Sequence, residues 1–209
     1  MMKKQIALTF DDGPNTTTTL EVLEKLKQYG IVASFFVIAD YINEVSAESI
    51  KKAYAMGCEI ANHSKTHVDM TTLSHEAIKD EIAYTSEKIK EIVGEYPKFF
   101  RPPYILVNSV MVEAIDLPFI CGVGGRDWEA EVSTEERARL ILEGVQDGRI
   151  ILLHDFENNI NTVQALDIII PELLEQGYEF VTISKLFENK GIVPTVHSGI
   201  VYSDVMQKA

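Results

Sequence analysis

Acidic and imidazole side chains follow several apolar runs of this 209-residue chain. The run IALTF is followed at once by Asp11 and Asp12, and Gly13 and Pro14 then stop the strand. Neighbouring carboxylates repel each other, and a turn by itself needs only one. Such a pair can instead divide the work at a metal ion, where one carboxylate binds the ion and the other accepts a proton from water. The alternative is an Asx-turn followed by a solvated Asp.

A second cluster is the segment HSKTH, which carries His63 and His67 four residues apart. Two histidines at this spacing can share a metal ion, and one Asp completes a set of three protein ligands with positions left for water. That set is typical of a hydrolytic metal site. The alternative is a pair of surface or capping histidines. Because HSKTH follows a strand end in the same chain as Asp11 and Asp12, the sequence favours the metal site.

Three further motifs carry titratable residues at or after strand ends. His154 closes the run IILLH, whose alternation places Leu152 on the same side of the strand, and it could protonate a leaving group there. Asp127, in the segment RDW, could hold such a histidine in its protonated form. Arg101, in the segment RPPY, could keep a nearby Asp ionised. The alternatives are a core histidine bonded to a backbone carbonyl and ordinary structural ion pairs.

The elements that must position these residues are short apolar runs alternating with helical patterns. The predicted strands are 5–10, 32–38, 58–61, 98–101, 119–123, 149–154 and 179–183. The predicted helices are 17–29, 47–56, 74–93, 134–145 and 162–175, with Ser74 and Ser133 as N-caps. This order predicts an α/β fold with a parallel sheet, as a compact (β/α) barrel that is complete or incomplete. The strand ends of such a fold share one rim, so the motifs should converge.

The chain shows no linker that divides it, so we expect a single domain over residues 1–190. From Pro194 onwards no clear period is visible, and we expect residues 191–209 to form a loosely attached C-terminal tail. Cys58 and Cys121 stand in apolar runs and are expected to be small buried residues, neither disulfide-bonded nor metal-binding.

Charge and hydropathy narrow the classes of partner. The formal net charge is −13, which argues against nucleic acid or an anionic membrane surface, since both attract clustered Lys and Arg. No apolar run approaches the roughly 20 residues of a membrane span. The N-terminal MMKKQIAL is too short in its apolar part for a signal peptide. We expect a secreted monomer that has lost its signal, with a cytoplasmic location as the alternative.

Five ordered motifs resemble those of the polysaccharide deacetylases, the NodB-homology domains of carbohydrate esterase family 4. They are TFDDGP at 9–14, HSKTH at 63–67, RPPY at 101–104, RDW at 126–128 and LLHD at 152–155. The resemblance spans residues 6–186. It implies a distorted (β/α) barrel that removes acetyl groups from an acetylated polysaccharide. It also implies one divalent metal ion, commonly Zn²⁺, with Co²⁺ or Ni²⁺ as alternatives.

The resemblance assigns roles to residues of this chain. Three are implied as metal ligands: Asp12, His63 and His67. Four are implied in proton transfer: Asp11 as general base, kept ionised by Arg101, and His154 as general acid, oriented by Asp127. Three more are implied around the acetyl group: the backbone N–H of Tyr104, which would stabilise the oxyanion, and Leu152 with Trp128, which would enclose the methyl group.

Two positions depart from the family pattern. Ile105 stands where many members have Gly, and Gly124 stands where an Asp is common. Neither change removes a ligand, the acid or the base. Both positions lie where the glycan approaches, so they bear on the choice of substrate.

The implied function is a metal-dependent deacetylase, with acetylated xylan as the leading substrate because KFFRPP and RIILLHD are most similar to the acetyl xylan esterases. The first alternative is an N-deacetylase of chitooligosaccharide or peptidoglycan, since the same motifs serve an amine leaving group. The alternative of another class is a glycan-binding module that has lost catalysis. Such a module would lack a ligand or the acid, whereas this chain has all of them.

Overall fold

The strand β1, Lys4–Gly13, lies inside the sheet in a computed structural model of the protein, which describes residues 3–205. Its side chains alternate between two buried faces. Leu8 and Phe10 belong to one apolar cluster with residues of the flanking helices, whereas Ala7 belongs to a second cluster with Phe36 on the next strand. A strand that is buried on both faces is typical of a parallel sheet.

Six strands form the main parallel sheet: β1, β2 (Ser34–Val37), β3 (Glu59–Asn62), β5 (Val123–Gly124), β6 (Ile150–His154) and β7 (Tyr178–Phe180). The order is β3-β2-β1-β6-β5, and β7 pairs with the first residues of β1. Two further short strands, β4 (Phe119–Ile120) and β8 (Val201–Tyr202), pair with each other in parallel. Within residues 3–205 the strands do not form a closed barrel. This confirms the α/β fold and the distorted, incomplete form of the barrel.

Seven helices accompany these strands in the described chain: α1 (Thr18–Tyr29), α2 (Ala47–Ala55), α3 (His75–Val93), α4 (Ser109–Ala114), α5 (Thr134–Gly144), α6 (Ile160–Glu175) and α7 (Ile183–Lys190). The predicted N-caps are confirmed, because Ser74 accepts the N–H of Ala77 and Ser133 accepts the N–H of Glu136. Within residues 3–205, no helix has both the length and the apolar character that crossing a bilayer requires.

The strand predicted over 98–101 is wrong. Only Phe100 makes strand-like bridges, to Asn62 and to Phe119. Pro102 and Pro103 follow at once and lack the N–H groups that a longer ladder needs. The strand predicted over 119–123 is in fact two short strands, β4 and β5, and β5 pairs with a different neighbour, β6.

The sequence prediction also missed α4 and α7. The strand expected over 179–183 ends at Phe180, and α7 begins at Ile183 because the Thr182 side chain accepts the N–H of Lys185. The apolar run FVTI therefore predicted a strand that is too long, because its last residue already belongs to the helix that Thr182 caps. Asn108 caps α4 in the same way by accepting the N–H of Met111.

The expectation of a loosely attached C-terminal segment is wrong for residues 201–205. Val201 and Tyr202 pair with β4, and Tyr202 is 2% exposed in an apolar cluster that includes Phe187 and Val205. The amide of Ile150 in β6 also donates to the carbonyl of Ser203. Residues 201–205 thus belong to the core, although they show no period in the sequence. Residues 206–209 lie outside the described part of the chain.

Candidate active site

A bulge at the end of β1 brings Asp11 and Asp12 to one pocket. Neighbouring residues of a regular strand point to opposite faces. Here the register with β2 shifts between Asp11 and Gly13, so Asp12 is an extra residue in the strand, with a φ of 73°. Such a bulge redirects the side chain that it carries. Both carboxylates consequently line the same cavity.

Asp155 lies directly behind this bulge and is fully buried. A Cβ at position 13 would come within 2.7 Å of an Asp155 carboxylate oxygen, so the close approach requires glycine there. Thr19 donates its hydroxyl proton to Asp155. Burial raises the pKa of Asp155 to about 7, since the Thr19 bond opposes this only in part and Asp12 and Asp11 add repulsion.

Asp12, His63 and His67 form a candidate metal centre. Each offers one ligand atom, and these three atoms lie within 4.8 Å of one another. Asp12 Oδ1 is 3.4 Å from His63 Nε2 and 3.3 Å from His67 Nε2. The predicted ligand set is therefore brought together by the end of β1 and by the loop that follows β3.

The chemistry of these three side chains fits a cation. His63 Nδ1 is 2.7 Å from the carbonyl oxygen of Arg101, which can only accept, so in the neutral ring it is Nδ1 that carries the proton and Nε2 that offers the lone pair. Asp12 Oδ1 is buried, and in the described structure it has no hydrogen-bond partner. This oxygen makes no hydrogen bond and faces the ring nitrogens of two histidines. One carboxylate oxygen and two imidazole nitrogens are ligands that suit a divalent metal ion.

The pKa shifts of the two half-buried members of this set, Asp12 and His67, also suit metal binding. Burial lowers the pKa of His67, and repulsion by His63 adds to this, so His67 is neutral at pH 7. Burial would raise the pKa of Asp12, but the neighbouring His63, with His154 and His67, lowers it. At pH 7, Asp12 is therefore ionised and the lone pair of His67 is available at the same time.

Arg101 lies under the pocket and holds Asp11. Its Nη1 donates to Asp11 Oδ1 at 2.5 Å and to Thr9 Oγ1 at 2.9 Å, and its Nη2 donates to the carbonyl of Cys121 at 2.8 Å. The guanidinium also stacks 4.0 Å from the ring centroid of Phe36. These contacts fix Asp11 so that its other oxygen, Oδ2, lies 3.9 Å from His63 Nε2.

His154 closes β6 and is paired with Asp127. Its Nδ1 is 2.8 Å from Asp127 Oδ1, and its backbone N–H donates to Asp127 Oδ2 at 2.7 Å. Burial would lower the pKa of His154, but the bond to Asp127 and its charge, with Asp11 and Asp12 further away, raise it to about 9. At neutral pH the ring is protonated, and Nε2 is the nitrogen not held by Asp127.

The walls of the cavity are largely apolar, and its volume is about 460 Å³. Leu152 and His154 both line it, which confirms that they share one side of β6. The Trp128 ring, 54% exposed, lies edge to face with His154 at a centroid distance of 5.7 Å. Tyr104 packs in the same way against His67 at 4.8 Å.

The two residues that depart from the family pattern, Ile105 and Gly124, both line the cavity. Ile105 has a φ of 57°, in the left-handed region that favours glycine, and its side chain lines the cavity. At position 124, a Cβ would lie 3.4 Å from the Trp128 ring, in van der Waals contact, so a side chain there would border that ring. Both departures therefore lie in the cavity wall.

Left-handed residues other than glycine are concentrated around this site: Asp12, Ser64, His67, Tyr104, Ile105 and Arg126. Each such residue costs of the order of 1–3 kcal/mol and persists only where the surrounding structure fixes it. Their concentration at one edge of the sheet supports this edge as the functional one.

Every predicted site residue is found at this edge. Eight line the cavity itself: Asp11, Asp12, His63, His67, Tyr104, Trp128, Leu152 and His154. Arg101 and Asp127 support them from below, both with no exposed surface. Cys58 is buried and free as expected, whereas the free Cys121 is only half-buried and lines the cavity, so its expected burial is wrong. No motif pointed to Cys121 or to Gly122 beside it.

A second cavity, of about 560 Å³, adjoins the first and shares Asp12 with it. Its walls include the half-exposed ring of Tyr41 and the side chain of Phe156, together with Asn15 and Glu157. Each of the two cavities that share Asp12 therefore has an exposed aromatic ring in its wall, Tyr41 in the second cavity and Trp128 in the first.

A parallel α/β fold that brings an Asp–His–His cluster, a second Asp and a paired His to one pocket has the groups of a metal-dependent hydrolase. The chain belongs to the polysaccharide deacetylase family, whose model matches residues 1–117. This confirms the resemblance seen in the five sequence motifs.

Among curated relatives, a bifunctional xylanase/deacetylase of Pseudobutyrivibrio xylanivorans is 49% identical over 194 residues, which are 93% of this chain and 32% of that protein. A peptidoglycan-N-acetylglucosamine deacetylase of Listeria monocytogenes is 36% identical over 191 residues, 90% of this chain and 40% of that protein. The chain thus spans less than half the length of these two relatives.

Two solved structures have the same fold over nearly the whole chain. The Xyl-CE4 domain of a multidomain xylanase from the hindgut metagenome of Trinervitermes trinervoides is 47% identical, with a TM-score of 0.96, covering 99% of this chain and 100% of that one. A family 4 acetyl xylan esterase from Clostridium thermocellum, solved with a cobalt ion, is 41% identical with a TM-score of 0.93, covering 97% and 99%.

Proposed function

We propose that this chain is a metal-dependent carbohydrate esterase that removes acetyl groups from a polysaccharide, with acetylated xylan as the leading substrate. The observation that carries the proposal is that the metal-ligand cluster, Asp11 and His154 all line one cavity of about 460 Å³. The similarity to a xylanase/deacetylase and to an acetyl xylan esterase supports xylan as the substrate.

Asp12, His63 and His67 would hold one divalent ion, which we propose to be Zn²⁺, since two imidazoles and one carboxylate suit it. Co²⁺ or Ni²⁺ would suit the same donors. When bound, such an ion supplies Lewis-acid polarisation of the acetyl carbonyl and lowers the pKa of water from about 16 toward 7.

Asp11 would act as the general base. One of its oxygens is engaged by Arg101, and the other faces the ligand cluster, 3.9 Å from His63 Nε2. A water in the cavity would lose its proton to that second oxygen as it attacks the acetyl carbon. Arg101 would keep Asp11 in place and compensate its charge, which is otherwise costly in a buried position.

His154 would act as the general acid. Because Asp127 holds Nδ1, the proton on Nε2 is the one that can pass to the oxygen of the departing sugar. A pKa of about 9 keeps that proton in place at neutral pH. Asp127 would orient the ring and would not itself exchange a proton with the substrate.

The oxyanion and the acetyl methyl group would be received by the cavity wall. The amides of Ile105 and Leu106 donate to the carbonyls of Pro102 and Pro103. The amide of Tyr104 takes no part in these two bonds, and we propose it as the oxyanion donor, a role typically worth about 3–4 kcal/mol. Leu152 and Trp128 would enclose the methyl group.

The adjoining cavity supports a polymeric substrate. The two cavities share Asp12 in their walls, and each is lined by an exposed aromatic ring that could stack on a sugar face. Because a polymer such as xylan does not cross a bilayer, the proposed substrate also favours action outside the cell. We propose that the domain acts there as a monomer.

The alternative within the same chemistry is an N-deacetylase. The 36% identity to a peptidoglycan deacetylase favours it, because its substrate carries an acetamide in place of an ester. The same base and acid would serve, with an amine as the leaving group. A non-catalytic glycan-binding module is disfavoured, since no ligand, acid or base is missing.

The proposed function is tested by measuring acetate release from acetylated xylan and from acetylated chitooligosaccharide in parallel. We expect release from xylan at the higher kcat/KM. Faster release from chitooligosaccharide would favour the N-deacetylase, and binding to either glycan without release would favour the module. The matched control is the Asp11→Asn variant, which should release acetate from either substrate at least about a hundred-fold more slowly.

A further inference from the structure

The buried Asp127 carboxylate makes a third hydrogen bond besides its two with His154. The hydroxyl of Thr162, in the first turn of α6, lies 3.0 Å from Asp127 Oδ2. That oxygen also accepts the backbone N–H of His154 at 2.7 Å, while Oδ1 faces Nδ1 at 2.8 Å. Both oxygens are therefore engaged, and the plane of the carboxylate is fixed.

Behind Thr162 lies a buried cation, Arg137 of α5, which is 2% exposed. Its Nη1 is 2.9 Å from Thr162 Oγ1 and 2.6 Å from Asn159 Oδ1. Its Nε and Nη2 each donate to a backbone carbonyl, those of Val132 and Glu129, at 3.0 Å. All four of these acceptors are neutral. The carboxylate that compensates the guanidinium is thus Asp127, one hydroxyl group away.

The direction of these hydrogen bonds follows from the groups involved. Arg137 can only donate, so Thr162 Oγ1 accepts from it and has its own proton free. An ionised Asp127 can only accept, so that proton goes to Oδ2. Thr162 therefore donates to the same oxygen, Oδ2, as the His154 backbone N–H, and Arg137 orients the Thr162 hydroxyl so that it can do so.

A second series of hydrogen bonds connects Arg137 to the backbone of His154 through Asn159. Because Asn159 Oδ1 faces Arg137, its amide nitrogen is turned toward the carbonyl of His154 and donates to it at 2.9 Å. His154 is consequently held at its backbone N–H, its carbonyl and its ring. The N–H and the ring are connected to Arg137 through Asp127 and Thr162, and the carbonyl is connected to it through Asn159.

We propose that Thr162 and Arg137 are positioning residues for His154, which they orient through Asp127 and Asn159. This rests on the proposed role of His154 as general acid. Without the Thr162 hydroxyl, Asp127 keeps only its two contacts with His154 itself, so nothing outside His154 fixes the plane of the carboxylate, and the imidazole is held less firmly in the direction in which Nε2 presents its proton. The step that suffers is protonation of the leaving oxygen, and binding of the glycan is unaffected.

The test compares two substrates with the metal-loaded protein. An acetylated xylooligosaccharide needs a proton on its leaving alcohol, whereas 4-nitrophenyl acetate releases a phenolate that needs none. We expect Thr162→Val to lower kcat on the oligosaccharide about ten-fold, with KM unchanged, and to change the aryl ester by less than about two-fold. Thr162→Ser keeps the hydroxyl and should restore the wild-type ratio between the two substrates.

A spectroscopic readout without turnover accompanies the kinetics. The Nδ1 proton of His154, identified by NMR through its absence in His154→Gln, should exchange with water faster in Thr162→Val than in Thr162→Ser. Arg137→Met should act in the same direction on both readouts. Since Arg137→Met can also unfold the protein, its circular dichroism is compared with that of Arg139→Gln, an exposed arginine on the same helix.

An equal loss on both substrates, or no loss on either, in Thr162→Val would overturn the positioning role while leaving the proposed function intact. Unchanged Nδ1 proton exchange would do the same. If the wild-type protein released acetate from neither substrate, the proposed function would fail, and this inference with it.

Discussion

Arg101 and Asp11 form an ion pair in the interior of the protein, with side-chain exposures of 0% and 3%. A buried ion pair needs further hydrogen bonds to offset the loss of hydration. Arg101 makes two of them, to the hydroxyl of Thr9 and to the carbonyl of Cys121. Asp11 thus combines a fixed position with one oxygen that is left to face the ligand cluster.

Removal of Arg101 should damage both stability and turnover. Arg101→Met leaves the Asp11 charge buried without a cation, and we expect a loss of about 3–5 kcal/mol in the free energy of unfolding. Urea denaturation measures this, and acetate release should fall in the same variant. The control is Arg139→Gln, which breaks exposed ion pairs and should cost less than about 1 kcal/mol. A loss in Arg101→Met as small as in the control would refute the buried-pair interpretation.

The two neighbouring aspartates should separate in their effects on metal content. Asp11→Asn is expected to keep one bound Zn²⁺ per chain and to lower kcat by at least about a hundred-fold, because it removes the base and no ligand. Asp12→Asn should lose the ion. Elemental analysis after dialysis, with acetate release measured on the same samples, checks both. A loss of metal from Asp11→Asn with retention in Asp12→Asn would show that the roles are reversed.

The rate should fall on the alkaline side as His154 loses its proton. Because the pKa of His154 is raised to about 9, the protonated acid is present at neutral pH and is lost as the pH rises through that value. Asp127→Asn removes a cause of the raised pKa and leaves burial, which lowers it. We therefore expect the alkaline limb of kcat/KM to move to lower pH in Asp127→Asn. A limb at the same pH in both proteins would exclude His154 as its source.

The C-terminal strand should contribute substantially to stability. Tyr202 is buried beside Phe187, with ring centroids 5.4 Å apart, and Tyr202→Ala should lower the free energy of unfolding by about 3–5 kcal/mol. Val193→Ala, at a residue that is 85% exposed in the same C-terminal region, should change it by less than about 0.5 kcal/mol. Similar values for the two variants, measured by urea unfolding, would mean that residues 201–205 are loosely attached after all.

The catalytic edge could be predicted from the sequence because its residues stand next to strand ends. Asp12, His63 and His154 follow runs whose period identifies strands, and parallel strands present those ends on one side. The bulge that turns Asp12 toward Asp11 could not be predicted in the same way. It depends on the register with β2 and on the space that Gly13 leaves for Asp155, and both are tertiary relationships.

The support behind His154 was missed for a related reason. Arg137, Asn159 and Thr162 belong to no motif, and they meet only because α5 packs against α6. One signal was present in the sequence: Arg137 is four residues before Ile141 and so lies on the apolar face of α5. A charged residue on a buried helix face needs a polar partner, and that alone could have drawn attention to it.

The central claim is tested most directly by acetate release from acetylated xylooligosaccharide before and after removal of metal. We expect release by the protein as purified, loss of release after dialysis against a chelator, and recovery when Zn²⁺ is restored. The His63→Ala variant should show no recovery under the same treatment. Release that continues unchanged in the chelator, or that is absent even with Zn²⁺ restored, would contradict a metal-dependent esterase built on Asp12, His63 and His67.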